Sequence, residues 1–181
     1  VDALVMCGGR GTRLDAPVEK PLYEIGGRPM IDRVLEALAE PAETTHAVVS
    51  PHAPETAAYV DVPTIETAGE GYVADLETAL SAVEQPVLTV AADLPLLIDS
   101  VVSAVLDAHE RGSLSVSVPA GLKRDLGVSV DTTVETADGD LAPTGLNVVG
   151  EGPERRLVLE DERLAVNVNR PADARIAEER L

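Results

Sequence analysis

Short runs of small and β-branched apolar residues alternate with stretches of helical periodicity, and this alternation restricts the fold more than any other feature of the chain. The run Ala3 to Cys7 ends at glycines, as a buried strand feeding a loop should. Past that loop, Met30, Val34, Leu35 and Leu38 share a helical face behind Pro29. The pattern repeats: strand at His46–Ser50, short helix at Pro54–Val60, strand at Val62–Glu66, then a helical stripe of Val73, Leu76, Leu80 and Val83. Val87–Ala92 lacks polar alternation beyond Thr89, which suits a central strand covered on both faces. Asp99–Arg111 is the next helix, with Gly112 as its stop, and Leu114–Pro119 a further strand.

From Leu122 the texture changes to short alternating runs with turn signals such as Asp138-Gly139, which predicts an antiparallel hairpin flank. Leu141–Val149, Arg156–Glu160 and Leu164–Asn169 read as strands or approaches to strands, and Pro171–Leu181 as a closing helix. The expected fold is therefore α/β and Rossmann-like, a mostly parallel sheet flanked by helices with an antiparallel hairpin flank. No linker-like break divides the chain, so residues 1–181 are expected to form one domain.

Composition narrows the partners. Three Tyr and no Phe or Trp leave Val, Leu, Ile and Ala to build the core. Against 32 acidic residues stand 14 basic ones, only two of them lysines, Lys20 and Lys123, for a net charge of −18. Such a surface repels nucleic acid and anionic membranes, so neither is an expected partner. The exchange of lysine for acid looks systematic and points to a high-salt cytoplasm, where self-repulsion is screened. The one cysteine, Cys7, excludes an internal disulfide. No apolar segment has the length to span a membrane and none resembles a signal segment, which predicts a cytoplasmic protein.

In a mostly parallel sheet, ligands bind beyond the carboxyl ends of the strands, so residues 8–20, 50–54, 67–72, 93–95 and 167–170 are the candidates. The first loop is neither a Walker loop nor a dinucleotide fingerprint. Gly8, Gly9 and Gly11 nonetheless let backbone N–H groups approach an anion, and Arg10, Arg13 and Lys20 concentrate positive charge in an acidic chain. Pro21 biases Lys20 to an extended backbone. Asp93, at the end of the central strand, either holds a magnesium ion or caps the turn before Pro95. Asn167 and Asn169 fall on one face of a strand, and Asn169 is a candidate neutral ligand for the same metal. Gly71 and Tyr72 open a helix and can shape a pocket for a base or sugar, while Gly145 is either a close approach to an acceptor or a bend. The histidines at 46, 52 and 109 have no ligand spacing, and no Ser-His-Asp set is visible.

GGRGTRL followed by EKPL resembles the signature of the NTP-transferase family of nucleotide-diphospho-sugar transferase-like proteins. GEGYVADL, AADL, PTGLNVV and AVNVNRPADARIAE resemble, more narrowly, the archaeal GTP:adenosylcobinamide-phosphate guanylyltransferases of cobalamin synthesis. The resemblance implies transfer of GMP from GTP to adenosylcobinamide phosphate with release of pyrophosphate. It also implies a triphosphate held by Gly8, Gly9, Arg10, Gly11, Thr12 and Arg13, with Lys20 at the α-phosphate and Mg²⁺ on Asp93. Ser50, Pro51, Gly71 and Tyr72 would lie near the nucleoside and Gly145 near the active site. Two positions depart from the family pattern: Cys7 replaces a usual alanine, and Asn169 replaces an aspartate frequent in sugar-nucleotide relatives.

Two alternatives stay open, a related transferase with a molybdopterin, phospholactate or sugar-phosphate acceptor and a GTP-binding module without turnover; whether the protein is a homodimer is open as well. The acidic composition predicts that folding and activity require molar salt. Circular dichroism and turnover across a salt series check this, and a folded, active protein in dilute buffer would refute it.

Overall fold

The computed structural model describes all of Val1–Leu181. Strand β1 (Ala3–Met6) runs into a loop carrying a small ribbon, β2 (Glu24–Ile25) and β3 (Arg28–Pro29), and then into helix α1 (Met30–Leu38). Strand–helix units follow: β4 (Thr45–Val49), α2 (Pro54–Tyr59), β5 (Thr64–Glu66), α3 (Tyr72–Leu80), β6 (Val87–Ala91), α4 (Asp99–Ala108) and β7 (Ser113–Pro119). The rest comprises α5 (Ala120–Leu126), β8 (Val134–Thr136), β9 (Gly139–Val149), β10 (Glu154–Val158), α6 (Glu162–Ala165) and α7 (Pro171–Glu179).

The main sheet has the order β10-β7-β9-β6-β1-β4-β5, with β8 paired to β9. Within it β9 alone runs against its neighbours β6, β7 and β8, so the sheet is mixed but mostly parallel, as expected. Alternate residues of β1 divide between two cores, as the period of two requires. Ala3, Val5 and Cys7 join Ile31, Val34 and Leu38 of α1 and Val101, Val102 and Val105 of α4 on one face. Leu4 packs with Val48, Val87 and Ala79 of α3 on the other. With no Phe or Trp to fill volume, close packing rests on this interleaving of Val, Leu, Ile and Ala.

β1 pairs with β4 on one side and β6 on the other. The chain leaves β1 toward β4, then returns across it to β6, which opens a crevice at the carboxyl ends of the two strands. The loops after β1 and β6 face each other there. No helix is long and apolar enough to cross a membrane.

Four local expectations are corrected. Residues 120–126 form helix α5 before the hairpin begins, ended by Gly127 at φ 80°; the predicted antiparallel flank follows as β8 and β9 around the Asp138-Gly139 turn. The segment expected as a strand at Leu164–Asn169 is a helical turn and then a run outside the sheet, in which Val168 N donates to Asp93 O at 3.0 Å. Asp161 starts that turn by accepting from Arg163 N at 2.9 Å, and burial of Val166 and Val168, not a strand ladder, holds the remainder. Val73, counted in the inward stripe of α3, is 68% exposed, and Asp75 is buried instead, because the helix starts at the mouth of a cavity.

Gly112, expected to stop α4, lies beyond the helix end at Ala108. It turns the chain at φ 70°, where an added Cβ would lie 2.1 Å from the Pro153 carbonyl oxygen. Gly112→Ala is expected to lower stability by at least about 2 kcal/mol through left-handed strain and that clash. Denaturant unfolding at fixed salt measures it, and an unchanged midpoint would contradict the assignment.

Candidate active site

The loop after β1 is shaped by four fixed points. Cys7 N donates to Val48 O at 2.9 Å, extending the sheet by one bond. Ser50 Oγ donates to Gly8 O at 3.2 Å. Gly11 takes φ 62°, and a Cβ there would lie 2.7 Å from Lys20 Cβ, so only glycine lets the two ends of the loop come together. Glu19 accepts from Glu55 N, Thr56 N and Thr56 Oγ1 at 2.9, 2.7 and 2.6 Å, capping the start of α2. The next residue is thereby fixed: Lys20 opens a 3-10 turn, Lys20–Leu22, instead of the expected extended segment. Tyr23 N donating to Lys20 O at 3.1 Å closes that turn.

From there Lys20 Nζ donates to Asp93 Oδ2 at 2.5 Å and to Asn169 Oδ1 at 2.7 Å. The other oxygen of Asp93 accepts from Asn167 Nδ2 at 2.9 Å. Asn167 is oriented in turn by Thr144 O, which accepts from the same amide, and by Lys123, whose Nζ donates to Asn167 Oδ1 at 2.8 Å. Both lysines of the chain therefore serve one carboxylate, Lys20 directly and Lys123 through an amide. Lys123 is almost fully buried, and burial pushes its ammonium below the ordinary lysine range against the opposing pull of Asp93, Asp173 and Asp131.

A second buried carboxylate, Asp173 of α7, fixes the Asn169 backbone. It accepts from Asn169 N and Arg170 N at 3.0 and 2.9 Å and from Ser129 N and Oγ, both at 2.7 Å. On the rim, Asp131 pairs with Arg13 and Arg170, each at 2.8 Å. The Arg170 hydrogen bond, helped by the charges of Arg13 and Arg170, holds the Asp131 carboxyl below its usual range against the opposing cost of desolvation.

Two depressions adjoin over Lys20. One, of about 330 Å³, is lined among others by Gly8, Gly9, Arg10, Gly71, Tyr72 and Asp93 and has an apolar share from Met6, Pro21 and Ala91. The other, of about 260 Å³, is lined only by Gly9, Arg10, Gly11, Thr12, Arg13, Lys20 and Asn169, with no hydrophobic residue. The structure thus brings together the first loop, Lys20, Gly71, Tyr72, Asp93 and Asn169.

Ser50, Pro51 and Gly145 line neither depression. Ser50 braces the loop from below, and Pro51 packs near Gly69. Gly145 takes φ 84° with its Cα against Ala91, where a Cβ would come within 2.8 Å of the Ala91 Cβ. His52, next to the expected pair, reaches the cavity in their place. Sequence reasoning also missed Asp75, Lys123, Asp131 and Asp173. Lys123 carried a signal, being one of two lysines in the chain, whereas the carboxylates were indistinguishable from the rest of the acidic surface.

Tyr72 at the cavity mouth is about half exposed, and its phenol is pushed above the ordinary value by partial burial and then by Asp93. The arrangement offers oxygen donors, one compact cation and guanidinium forks around a polar hollow beside a part-apolar one, which suits a bound anion attached to a flat organic group.

A family model described as the MobA-like NTP transferase domain matches residues 3–172. An adenosylcobinamide-phosphate guanylyltransferase of Methanocaldococcus jannaschii is 29% identical across 98% of this chain and 96% of its own length. The bifunctional protein GlmU of Anaeromyxobacter is 31% identical, but over 64% of this chain and only 26% of that protein. Among solved structures, a hypothetical transferase from Thermus thermophilus superposes with a TM-score of 0.73 at 22% identity, covering 96% of this chain and 98% of its own. A nucleotidyl transferase from Methanothermobacter superposes at 0.71 with 17% identity, covering 99% and 96%. The chain belongs to the MobA-like NTP transferase family and is a nucleotidyltransferase.

Proposed function

We propose that this protein, as one nucleotidyltransferase domain over residues 1–181, transfers GMP from GTP to adenosylcobinamide phosphate, yielding adenosylcobinamide-GDP and pyrophosphate. The observation that carries the reading is the convergence of Lys20, Asp93 and Asn169 between a part-apolar and a wholly polar depression. The choice of acceptor rests on the near full-length likeness to the M. jannaschii enzyme.

In this reading the polar depression receives the β- and γ-phosphates through the backbone N–H groups of Gly9 to Thr12 and the guanidinium groups of Arg10 and Arg13. Gly71 and Tyr72 border the nucleoside. An oxygen of the acceptor phosphate forms a new P–O bond at the α-phosphorus while the bond to the β-phosphate oxygen breaks, and pyrophosphate departs with its electron pair. The acceptor is already ionised, so no general base is needed, and the task is to neutralise converging anions and hold them in line. Lys20, poised between Asp93 and Asn169, does this at the α-phosphate.

Asp93 Oδ2 and Asn169 Oδ1 both point at one cationic nitrogen, at 2.5 and 2.7 Å. No cluster of three His, Cys, Asp or Glu accompanies them. One carboxylate and one amide oxygen are a donor set that suits Mg²⁺, and Asp93 and Asn169 would hold the ion in exchange for the Lys20 ammonium that they now accept from. When bound, the ion would supply charge neutralisation at the phosphoryl oxygens. Asn167 and Lys123 keep the Asp93 carboxylate turned toward that position.

Calorimetric titration in molar salt with GTP, ATP, CTP and UTP, followed by an adenosylcobinamide-GDP assay, tests the reading. Selective GTP binding with product supports it; preference for UTP or CTP would overturn it. Lys20→Ala is expected to lower turnover at least about a hundredfold, as for loss of a charge-stabilising contact, and near-parent turnover would refute its role. Burial, and then the Glu19 charge, pushes the Cys7 thiol up to about 12, so it is protonated at neutral pH and takes no part as a nucleophile. A thiol reagent is expected to label Cys7 in denaturant and not in the folded protein at pH 7, whereas fast native labelling would contradict this.

A further inference from the structure

Asp75 is the buried acid that the chemistry above leaves unused. It sits in the first turn of α3, is 5% exposed and lines the part-apolar cavity. Its Oδ1 accepts from Gly69 N at 3.0 Å. Its Oδ2 has no donor from the protein, yet is not sealed off among the unsatisfied buried atoms, so it opens on the cavity. No basic side chain pairs with it, and the positive end of α3 compensates the charge only in part. A buried carboxylate with a free oxygen calls for a donor from outside.

The position of Asp75 says what kind of donor. Arg10, Gly9 and Lys20 border both depressions, whereas Asp75, His52 and Gly69 border only the part-apolar one. The carboxylate lines only the part-apolar depression and no guanidinium pairs with it, so beside it a phosphate would be repelled and an N–H or O–H donor welcomed. Gly8 leaves room for such a group: a Cβ there would lie 3.2 Å from Asp75 Oδ2. Among nucleobases, guanine alone carries two adjacent donors, N1–H and the exocyclic N2 amino group. Adenine turns the N1 lone pair toward the carboxylate, cytosine the N3 lone pair, and uracil flanks its single donor with two carbonyl oxygens.

We infer that Asp75 is the guanine-specificity residue of this site, accepting from N1–H and the N2 amino group of the bound base. The inference rests on the guanylyl-transfer reading and adds the selecting residue to it. Asp75→Asn tests it. The amide keeps an oxygen for Gly69 N but offers a donor where guanine also has one. Xanthine, with a carbonyl oxygen at C2, matches that amide.

Titration of both proteins with GTP, ATP and XTP in molar salt reads the contact. The parent protein should select GTP. The variant should lose roughly tenfold to a hundredfold in GTP affinity and gain for XTP, as for a bidentate base contact. If the parent selects GTP and the variant keeps that selectivity, or loses affinity for all three alike as a ribose or loop contact would, the inference is overturned and the guanylyl reading stands. If the parent selects another base or binds none, both fall. Should the variant not fold, ITP on the parent protein reads the same contact, since it lacks only the N2 amino group. ITP should bind roughly tenfold more weakly than GTP, and equal binding overturns the inference.

Discussion

The rest of the site depends on one carboxylate held from both sides. Asp93 stands at the end of β6, takes Lys20 on one oxygen and Asn167 on the other, and so joins the first loop, the central sheet and the segment before α7. Each partner is itself fixed: Lys20 by the capping of α2 through Glu19, Asn167 by Lys123 and Thr144, Asn169 by Asp173. Mostly satisfied polar networks of this kind set geometry more than they add stability, because half-buried charges lose hydration that their pairing only offsets. Their value lies in leaving oxygen donors and a cation aimed at one point.

That geometry also reconciles an acidic protein with polyanionic substrates. The net charge of −18 opposes approach of a nucleoside triphosphate, but Arg10, Arg13 and Lys20 gather around one polar depression. In concentrated salt the long-range repulsion is screened, while close contacts in a partly enclosed hollow are screened much less. The ion pairs of Asp131 with Arg13 and Arg170 keep part of this positive charge compensated on the rim.

The strand-helix order from β1 to β7 was legible because apolar period and glycine position are local signals that tertiary packing seldom overrides when the strands are buried on both faces. Where the reading failed, a local competitor won. Ala120–Leu126 has good helix formers and a stop at Gly127, but the turn signals that follow it mark a hairpin and mask the helix before it. Leu164–Asn169 alternates like a strand, and its two asparagines do reach the site together, yet Asp161 starts a helical turn and no neighbour completes a ladder.

The sequence alone determined the glycine loop, Lys20, Asp93 and Asn169 as candidates, since each stands where a strand is expected to end and carries chemistry that the acidic, lysine-poor background makes conspicuous. Asp75, Asp173 and Lys123 emerged only in the tertiary structure. One acid among 32 has no local mark that separates a buried, oriented carboxylate from a hydrated one. What distinguishes them is contact across long stretches of chain, as when Lys20 meets residues 73 and 149 positions away. Only the closed sheet, by excluding water and bringing its strand ends together, decides which charges face one another and which face solvent.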